Sequence, residues 1–101
     1  MSNMKATLVV RTRIVFSTHS FAELVLWRLP TPVPGSAHAF KYRLAYVVDS
    51  VCAVRYDNEF GKGDRRHFGA IENPYKFSTP ERLMVDFQKD IARWNDENSG
   101  S

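Results

Sequence analysis

The chain has 101 residues, of which 44% are apolar and 25% are charged, and its formal net charge is +3. This length suits one globular domain of roughly 100–150 residues. The longest apolar stretches fall far short of the ~20 residues that cross a membrane, and the single cysteine, Cys52, cannot form an intramolecular disulfide. No secretory leader is recognisable. We therefore predict one domain over 1–101, ordered at about 5–94, with no membrane association and a cytoplasmic location.

The charges are unevenly distributed along the chain. Residues 1–56 carry a net charge of +5, whereas residues 57–101 carry −2. A face rich in cations attracts polyanions. The alternative is a set of ordinary solvated side chains on the outer side of a sheet. The cations of the candidate binding surface are Arg11, Arg13, Lys41, Arg43 and Arg55.

Two strands open the chain. Polar and apolar residues alternate over 5–16 and over 21–29, and residues 17–20 form a polar turn, so the pattern predicts a β-hairpin. Residues 30–35 include three prolines, which lack a backbone donor. The second strand must therefore end before this segment.

A second hairpin is predicted after the proline segment. Residues 40–48 and 51–57 alternate as strands and are joined by a two-residue turn. In the register that this turn sets, Tyr42 lies opposite Asp57, and Arg55 shares their sheet face.

The last part of the chain predicts a loop and a helix. Residues 58–75 are rich in glycine and charge, which indicates a long ordered loop or a short fifth strand around 66–71. Thr79 is a candidate N-cap, and apolar residues at helical spacing predict a helix to Trp94, followed by a frayed tail at 95–101. The predicted fold is α+β: an antiparallel meander of four or five strands with one C-terminal helix packed on the sheet.

The densest group of reactive side chains lies at 56–69. Lys62 stands between two glycines, an arrangement that lets a backbone approach an anion closely, although the spacing is not that of a Walker loop. Asn58 and Asp57 precede this turn and are candidates to support it. The alternative is a solvated turn without a ligand.

His67 is the one candidate general acid or base in this segment, and Asp64 is placed to orient its ring. Arg65 and Arg66 can stabilise negative charge that develops on phosphorus. This set fits a metal-independent ribonuclease. In the alternative interpretation, His67 hydrogen-bonds the loop and the arginines pair with nearby carboxylates.

A metal site is a third interpretation of the same segment. Asp57, Asp64 and His67 offer oxygen and nitrogen ligands, but no recognised metal-binding spacing surrounds them. We predict no metal and no cofactor.

Three segments resemble the TumE family of small prokaryotic toxins. They are Trp-Arg-Leu-Pro with Pro-Val-Pro-Gly-Ser at 27–36, Phe-Lys-Tyr-Arg-Leu-Ala-Tyr-Val at 40–47, and Tyr-Asp-Asn with Gly-Lys-Gly-Asp-Arg-Arg-His at 56–67. A helix that begins near residue 80 completes a resemblance over most of 5–94. It implies a toxin that arrests growth, paired with a helix-turn-helix antitoxin that neutralises it and represses their shared operon.

We therefore predict a type II toxin that acts on RNA or on the translation machinery, with RNA cleavage as a hypothesis. The catalytic candidates are Lys62, Asp64, Arg65, Arg66 and His67. The competing class is a non-catalytic module whose basic sheet face binds nucleic acid or a partner protein. A neutralising partner is a third possibility, although the sequence contains no predicted helix pair of the DNA-binding type.

Overall fold

A computed structural model describes residues 5–99, so residues 1–4 and the last two residues of the predicted tail lie outside the described part. Six strands form one antiparallel sheet in chain order, and one helix follows them. The elements are β1 (Thr7–Val15), β2 (Ser20–Arg28), β3 (Phe40–Val48), β4 (Val51–Glu59), β5 (Gly63–Phe68), β6 (Ile71–Pro74) and α1 (Pro80–Asn98). The predicted α+β meander with its C-terminal helix is confirmed, with six strands instead of four or five.

The strand count is higher because residues 58–75 form a β-ribbon. The ribbon turns at Gly69, whose φ is +60°, and the Gly69 amide donates to the Ala53 carbonyl at 2.8 Å. The predicted fifth strand at 66–71 was centred on this turn. Charged side chains occupy both faces of β5, so no apolar alternation marks the strand in the sequence.

The pairing of β3 with β4 differs from the predicted register. The strands pair as predicted beside their two-residue turn, but one extra residue, Ala53, then bulges β4 and shifts the register by one. Arg43, and not Tyr42, therefore lies opposite Asp57. The predicted shared face was wrong: Asp57 and Arg55 lie on the side of the sheet away from Tyr42.

α1 packs on one face of the sheet, mainly against β4. Thr79 caps it as predicted, and Leu83 and Phe87 are buried on its inner side. The helix continues to Asn98, beyond its predicted end at Trp94. The core is formed by Ala22, Leu26, Tyr42, Leu44, Tyr46, Ala53, Val54, Tyr56, Leu83 and Phe87. Within residues 5–99, no helix is long and apolar enough to cross a membrane.

The other side of the sheet, here called the open face, is not covered by α1. Its centre consists of two rows of side chains that run across the strands. One row is Arg11, Val25, Arg43, Asp57 and Arg65, and the next is Arg13, Glu23, Ala45, Arg55, His67 and Glu72. Strand pairing therefore brings together charged residues that are far apart in the chain.

Candidate functional site

The charged segment predicted as the site becomes β5 and the turn before it. Because side chains alternate along a strand, Asp64 and Arg66 lie on the helix side, whereas Arg65 and His67 lie on the open face. Lys62 is exposed in the β4–β5 turn. The structure therefore does not gather the five predicted catalytic residues at one place.

Asp64 accepts hydrogen bonds from three side chains, two in the connection between β2 and β3 and one on β3. Ser36 and Tyr42 donate their hydroxyls to it at 2.7 and 2.6 Å, and Nε2 of His38 lies 2.6 Å from its Oδ2. The Phe40 amide donates to Nδ1 of His38, so the ring proton is on Nε2 and is donated to Asp64. Both ring nitrogens of His38 are thus engaged within the fold.

Asn58 completes this cluster and is fully buried. Its side chain accepts from the Tyr42 amide at 3.0 Å and donates to the Phe40 carbonyl at 2.7 Å. Burial raises the pKa of the Tyr42 phenol far above its usual value, and the hydrogen bond to Asp64 raises it further. Tyr42 is therefore a neutral donor, and the cluster holds the proline segment against the sheet.

Two glycines also bring the proline segment into contact with the β4–β5 turn, here through backbone atoms. A Cβ on Gly63 would lie 2.9 Å from the Gly35 carbonyl oxygen, and their φ angles are +74° and +99°. The Gly61 amide also donates to the Pro34 carbonyl at 2.7 Å. The close backbone approach that the Gly-Lys-Gly sequence permits is made here to another part of the chain.

We expect Gly63→Ala to lower the free energy of unfolding by about 2–4 kcal/mol, because it combines an unfavourable φ with a backbone clash. Gly69→Ala is the matched control, since Gly69 also has a positive φ but a Cβ there would have no atom within 4 Å. The control should lose only about 1–2 kcal/mol. Urea unfolding of both variants measures the difference, and equal losses would contradict the proposed role of the contact.

Arg66 connects the sheet to the helix. Its guanidinium donates to both carboxylate oxygens of Asp90, at 2.5 and 2.9 Å, and to the Tyr56 hydroxyl at 3.0 Å. Tyr56 in turn donates to Asp90 at 2.5 Å. The hydrogen bonds to Asp90 raise the pKa of Arg66 above its usual value, and burial raises the pKa of the Tyr56 phenol. Arg66 therefore stays charged and clamps β5 to α1.

His67 lies in a different environment, on the open face. Nη2 of Arg55 is 2.9 Å from its Nε2, and because arginine only donates, Nε2 is the acceptor and the neutral ring carries its proton on Nδ1. Oε2 of Glu72 lies 3.5 Å from the same nitrogen and accepts from Nε of Arg65 at 3.1 Å. The predicted contact of His67 with Asp64 was wrong, because the two residues point to opposite sides of the sheet.

Asp57 is a buried carboxylate on this face, with a side chain only 7% exposed. Nε of Arg55 lies 3.2 Å from its Oδ2 but does not form an aligned hydrogen bond. Arg43 and Arg65 are its neighbours on the adjacent strands. One carboxylate among three guanidinium groups leaves the surface with an excess of positive charge.

The hydrogen bond from Arg65 lowers the pKa of the Glu72 carboxyl, with further lowering by the nearby charges of His67 and Arg55. Glu72 is therefore a carboxylate at neutral pH. Glu72 was not among the predicted site residues, because its position opposite His67 depends on the β5–β6 turn. The glycine at 69 was the available signal for that turn.

The open face also carries every residue of the predicted basic binding surface. Lys41 lies beside Trp27 in the row next to that of Arg11, and its ammonium donates to the Asn58 carbonyl. The six Lys and Arg side chains on the strands of this face are Arg11, Arg13, Lys41, Arg43, Arg55 and Arg65, against the four carboxylates Glu23, Asp57, Glu59 and Glu72. His67 thus lies on the same sheet face as these six cations.

The three side chains considered above as metal ligands lie on opposite sides of the sheet. Asp57 and His67 lie on the open face, and Asp64 lies on the helix side. In the described part of the chain, no three His, Cys, Asp or Glu side chains are grouped so that they could hold a metal ion.

Comparison with known proteins gives one result. No curated protein and no solved structure matches the chain. The sequence model of one family, described as toxin TumE, matches residues 2–95. The match includes all six strands and most of α1, and it confirms the resemblance inferred from the three segments above. The chain belongs to the TumE family of toxins.

Proposed function

We propose that this toxin acts on RNA, free or within the translation machinery, and that it binds the RNA backbone on the open face. The observation that carries the proposal is the clustering of six Lys and Arg side chains on the sheet face that α1 leaves uncovered. Phosphate groups are the ligands that such a cation-rich surface attracts, and guanidinium groups bind them with paired donors.

Aromatic side chains among the cations support a single-stranded ligand. The guanidinium of Arg11 lies 5.8 Å from the Trp27 ring, and that of Arg13 lies 3.9 Å from the Phe21 ring. A surface that alternates cations with aromatic rings can bind phosphates and stack bases without reading the sequence.

We further propose that the toxin cleaves RNA without a metal ion. Of the predicted catalytic residues, His67 and Arg65 lie on the open face, which supports a role for these two in contact with bound RNA. An imidazole supplies acid or base catalysis, and guanidinium groups stabilise a pentacoordinate phosphorus. Asp64 and Arg66 then serve the fold through the contacts described above, whereas Lys62 is an exposed residue of the β4–β5 turn.

A toxin family implies an antitoxin partner. The TumE resemblance favours a helix-turn-helix antitoxin that neutralises this chain and represses their operon, and the action on RNA proposed here takes place in the cytoplasm. We propose both as the cellular setting of the toxin.

Charge reversal on the open face tests the binding proposal. We expect Arg43→Glu to weaken binding of a labelled single-stranded oligoribonucleotide about tenfold, which is roughly 1.4 kcal/mol. The slope of log affinity against log salt should fall by about 1. Fluorescence anisotropy at several salt concentrations measures both quantities.

The matched control is Arg82→Glu, which makes the same change of charge on the exposed side of α1. It should leave RNA affinity near that of the wild type. If both variants weaken binding equally, net charge alone governs binding and the open face is not the site. RNA that is bound but never cut would instead favour the non-catalytic module.

A further inference from the structure

His67 lies within a chain of alternating charges on the open face. The order is Asp57 on β4, Arg55 on β4, His67 on β5, Glu72 on β6 and Arg65 on β5. These are the charged groups that face the imidazole from each strand packed around it. The ring is only partly exposed, at 22% of its side chain, so its two partners at Nε2 control the state of that nitrogen.

The two partners of Nε2 suit different protonation states. Arg55 donates to Nε2 while the ring is neutral. When Nε2 takes a proton, it has no lone pair to offer and carries positive charge, so the contact with Arg55 becomes repulsive. Glu72, with Oε2 at 3.5 Å, is then the nearby acceptor. Protonation of Nε2 therefore replaces Arg55 by Glu72 as the favourable partner of this nitrogen.

We propose that Glu72 is the positioning residue of an RNA-cleaving site in which Nε2 of His67 is the general base and Arg55, once displaced, binds the reacting phosphate. This inference rests on the proposed action on RNA and adds to it the substrate class, a ribose with a free 2′-hydroxyl. The arrangement follows the general pattern of a base oriented by a third group.

The reaction is a transesterification. Nε2 of His67 takes the proton of the 2′-hydroxyl, the 2′-oxygen forms a bond to phosphorus, and the bond from phosphorus to the 5′-oxygen breaks. The leaving 5′-oxygen takes a proton from water, and the proton on His67 then neutralises the resulting hydroxide. The products are a 2′,3′-cyclic phosphate and a 5′-hydroxyl. Glu72 stabilises the imidazolium, while the guanidinium of Arg55 stabilises the charge on phosphorus.

The test measures RNA cleavage against pH for the wild type, Glu72→Gln, Glu72→Asp and Glu97→Gln. Glu97 is the matched control, because it also pairs with an arginine and its side chain is 50% exposed against 47% for Glu72, but it lies on α1, away from the open face. The substrates are a labelled mixed-sequence oligoribonucleotide and a messenger RNA in a cell-free translation extract. The same oligonucleotide with 2′-deoxy sugars reports binding alone.

We expect Glu72→Gln to lower kcat at least tenfold without weakening binding of the deoxy oligonucleotide. The acid limb of its pH–rate profile should move to lower pH, because the protonated base loses its anionic neighbour. Glu72→Asp, which keeps the charge, should recover part of kcat and keep the wild-type acid limb. Glu97→Gln should match the wild type in both respects.

The outcomes separate this inference from the proposal on which it rests. If the wild type cleaves RNA and folded Glu72→Gln behaves like Glu97→Gln, the role of Glu72 is overturned and the action on RNA stands. If the wild type binds RNA but cuts neither substrate, cleavage is overturned together with this inference. If the wild type neither binds nor cuts RNA, the proposed function itself fails. Circular dichroism of each variant shows whether a loss of activity reflects unfolding.

Discussion

Replacement of His67 by alanine is expected to abolish growth arrest while the protein stays folded. Loss of a general base lowers the rate of catalysis by about 10²- to 10⁴-fold, so a toxin that acts through this base should become harmless. The imidazole lies on the open face and makes one hydrogen bond, to Arg55, so its removal should cost only about 1 kcal/mol of stability. Growth after induced expression, with and without the antitoxin gene, measures the effect.

The matched control is His19→Ala. His19 lies in the turn between β1 and β2 with a side chain that is 74% exposed, and its carboxylate neighbour is Asp49 at 3.6 Å. The His19 variant should arrest growth like the wild type. If folded His67→Ala arrests growth equally well, the ring is not catalytic, and binding by the arginines of the open face becomes the better explanation of toxicity.

Much of the fold could be predicted because local signals agree with the tertiary structure. Alternation fixed the first four strands, and three prolines ended β2. Thr79 gave the start of α1. The bulge at Ala53 gave no such signal, since alanine fits either face of a strand, and a single inserted residue reverses the orientation of all side chains that follow in that strand.

Many residues of the site could be predicted from the sequence, but their arrangement in space could not. The cations of the open face were recognised, and pairing of β3, β4 and β5 brings them together. The partners of His67 and Asp64 were not recognised, because they lie on other strands or connections that the fold brings into contact. Glu72 reaches His67 only through the β5–β6 turn, and His38 reaches Asp64 only because the proline segment folds back on the β4–β5 turn.

Asp90→Ala is expected to cause a large loss of stability. It removes the carboxylate that binds Arg66 and Tyr56 together, and breaking a buried ion pair leaves an uncompensated charge. We expect a loss of about 3 kcal/mol, since Arg66 is partly exposed and can regain some contact with water. Out of a total of roughly 5–15 kcal/mol, such a loss is large.

Glu97→Ala is the control for this prediction, because Glu97 forms an exposed ion pair with Arg93 on the same helix. It should cost less than about 1 kcal/mol. Urea unfolding, followed by circular dichroism, measures both variants. A loss from Asp90→Ala that is no greater than the loss from the control would show that the clamp between β5 and α1 contributes little.

The double variant Arg66→Met with Asp90→Leu tests whether the role of Arg66 is structural or catalytic. Replacing a buried ion pair by apolar side chains of similar size is often neutral, so the double variant should recover most of the stability that Asp90→Ala loses. Arg66 faces the helix, on the opposite side of the sheet from His67, and should not touch RNA bound on the open face. A folded double variant should therefore still arrest growth. If it folds and is harmless, Arg66 takes part directly in the action of the toxin. The assignment of RNA contact to the open face alone is then wrong.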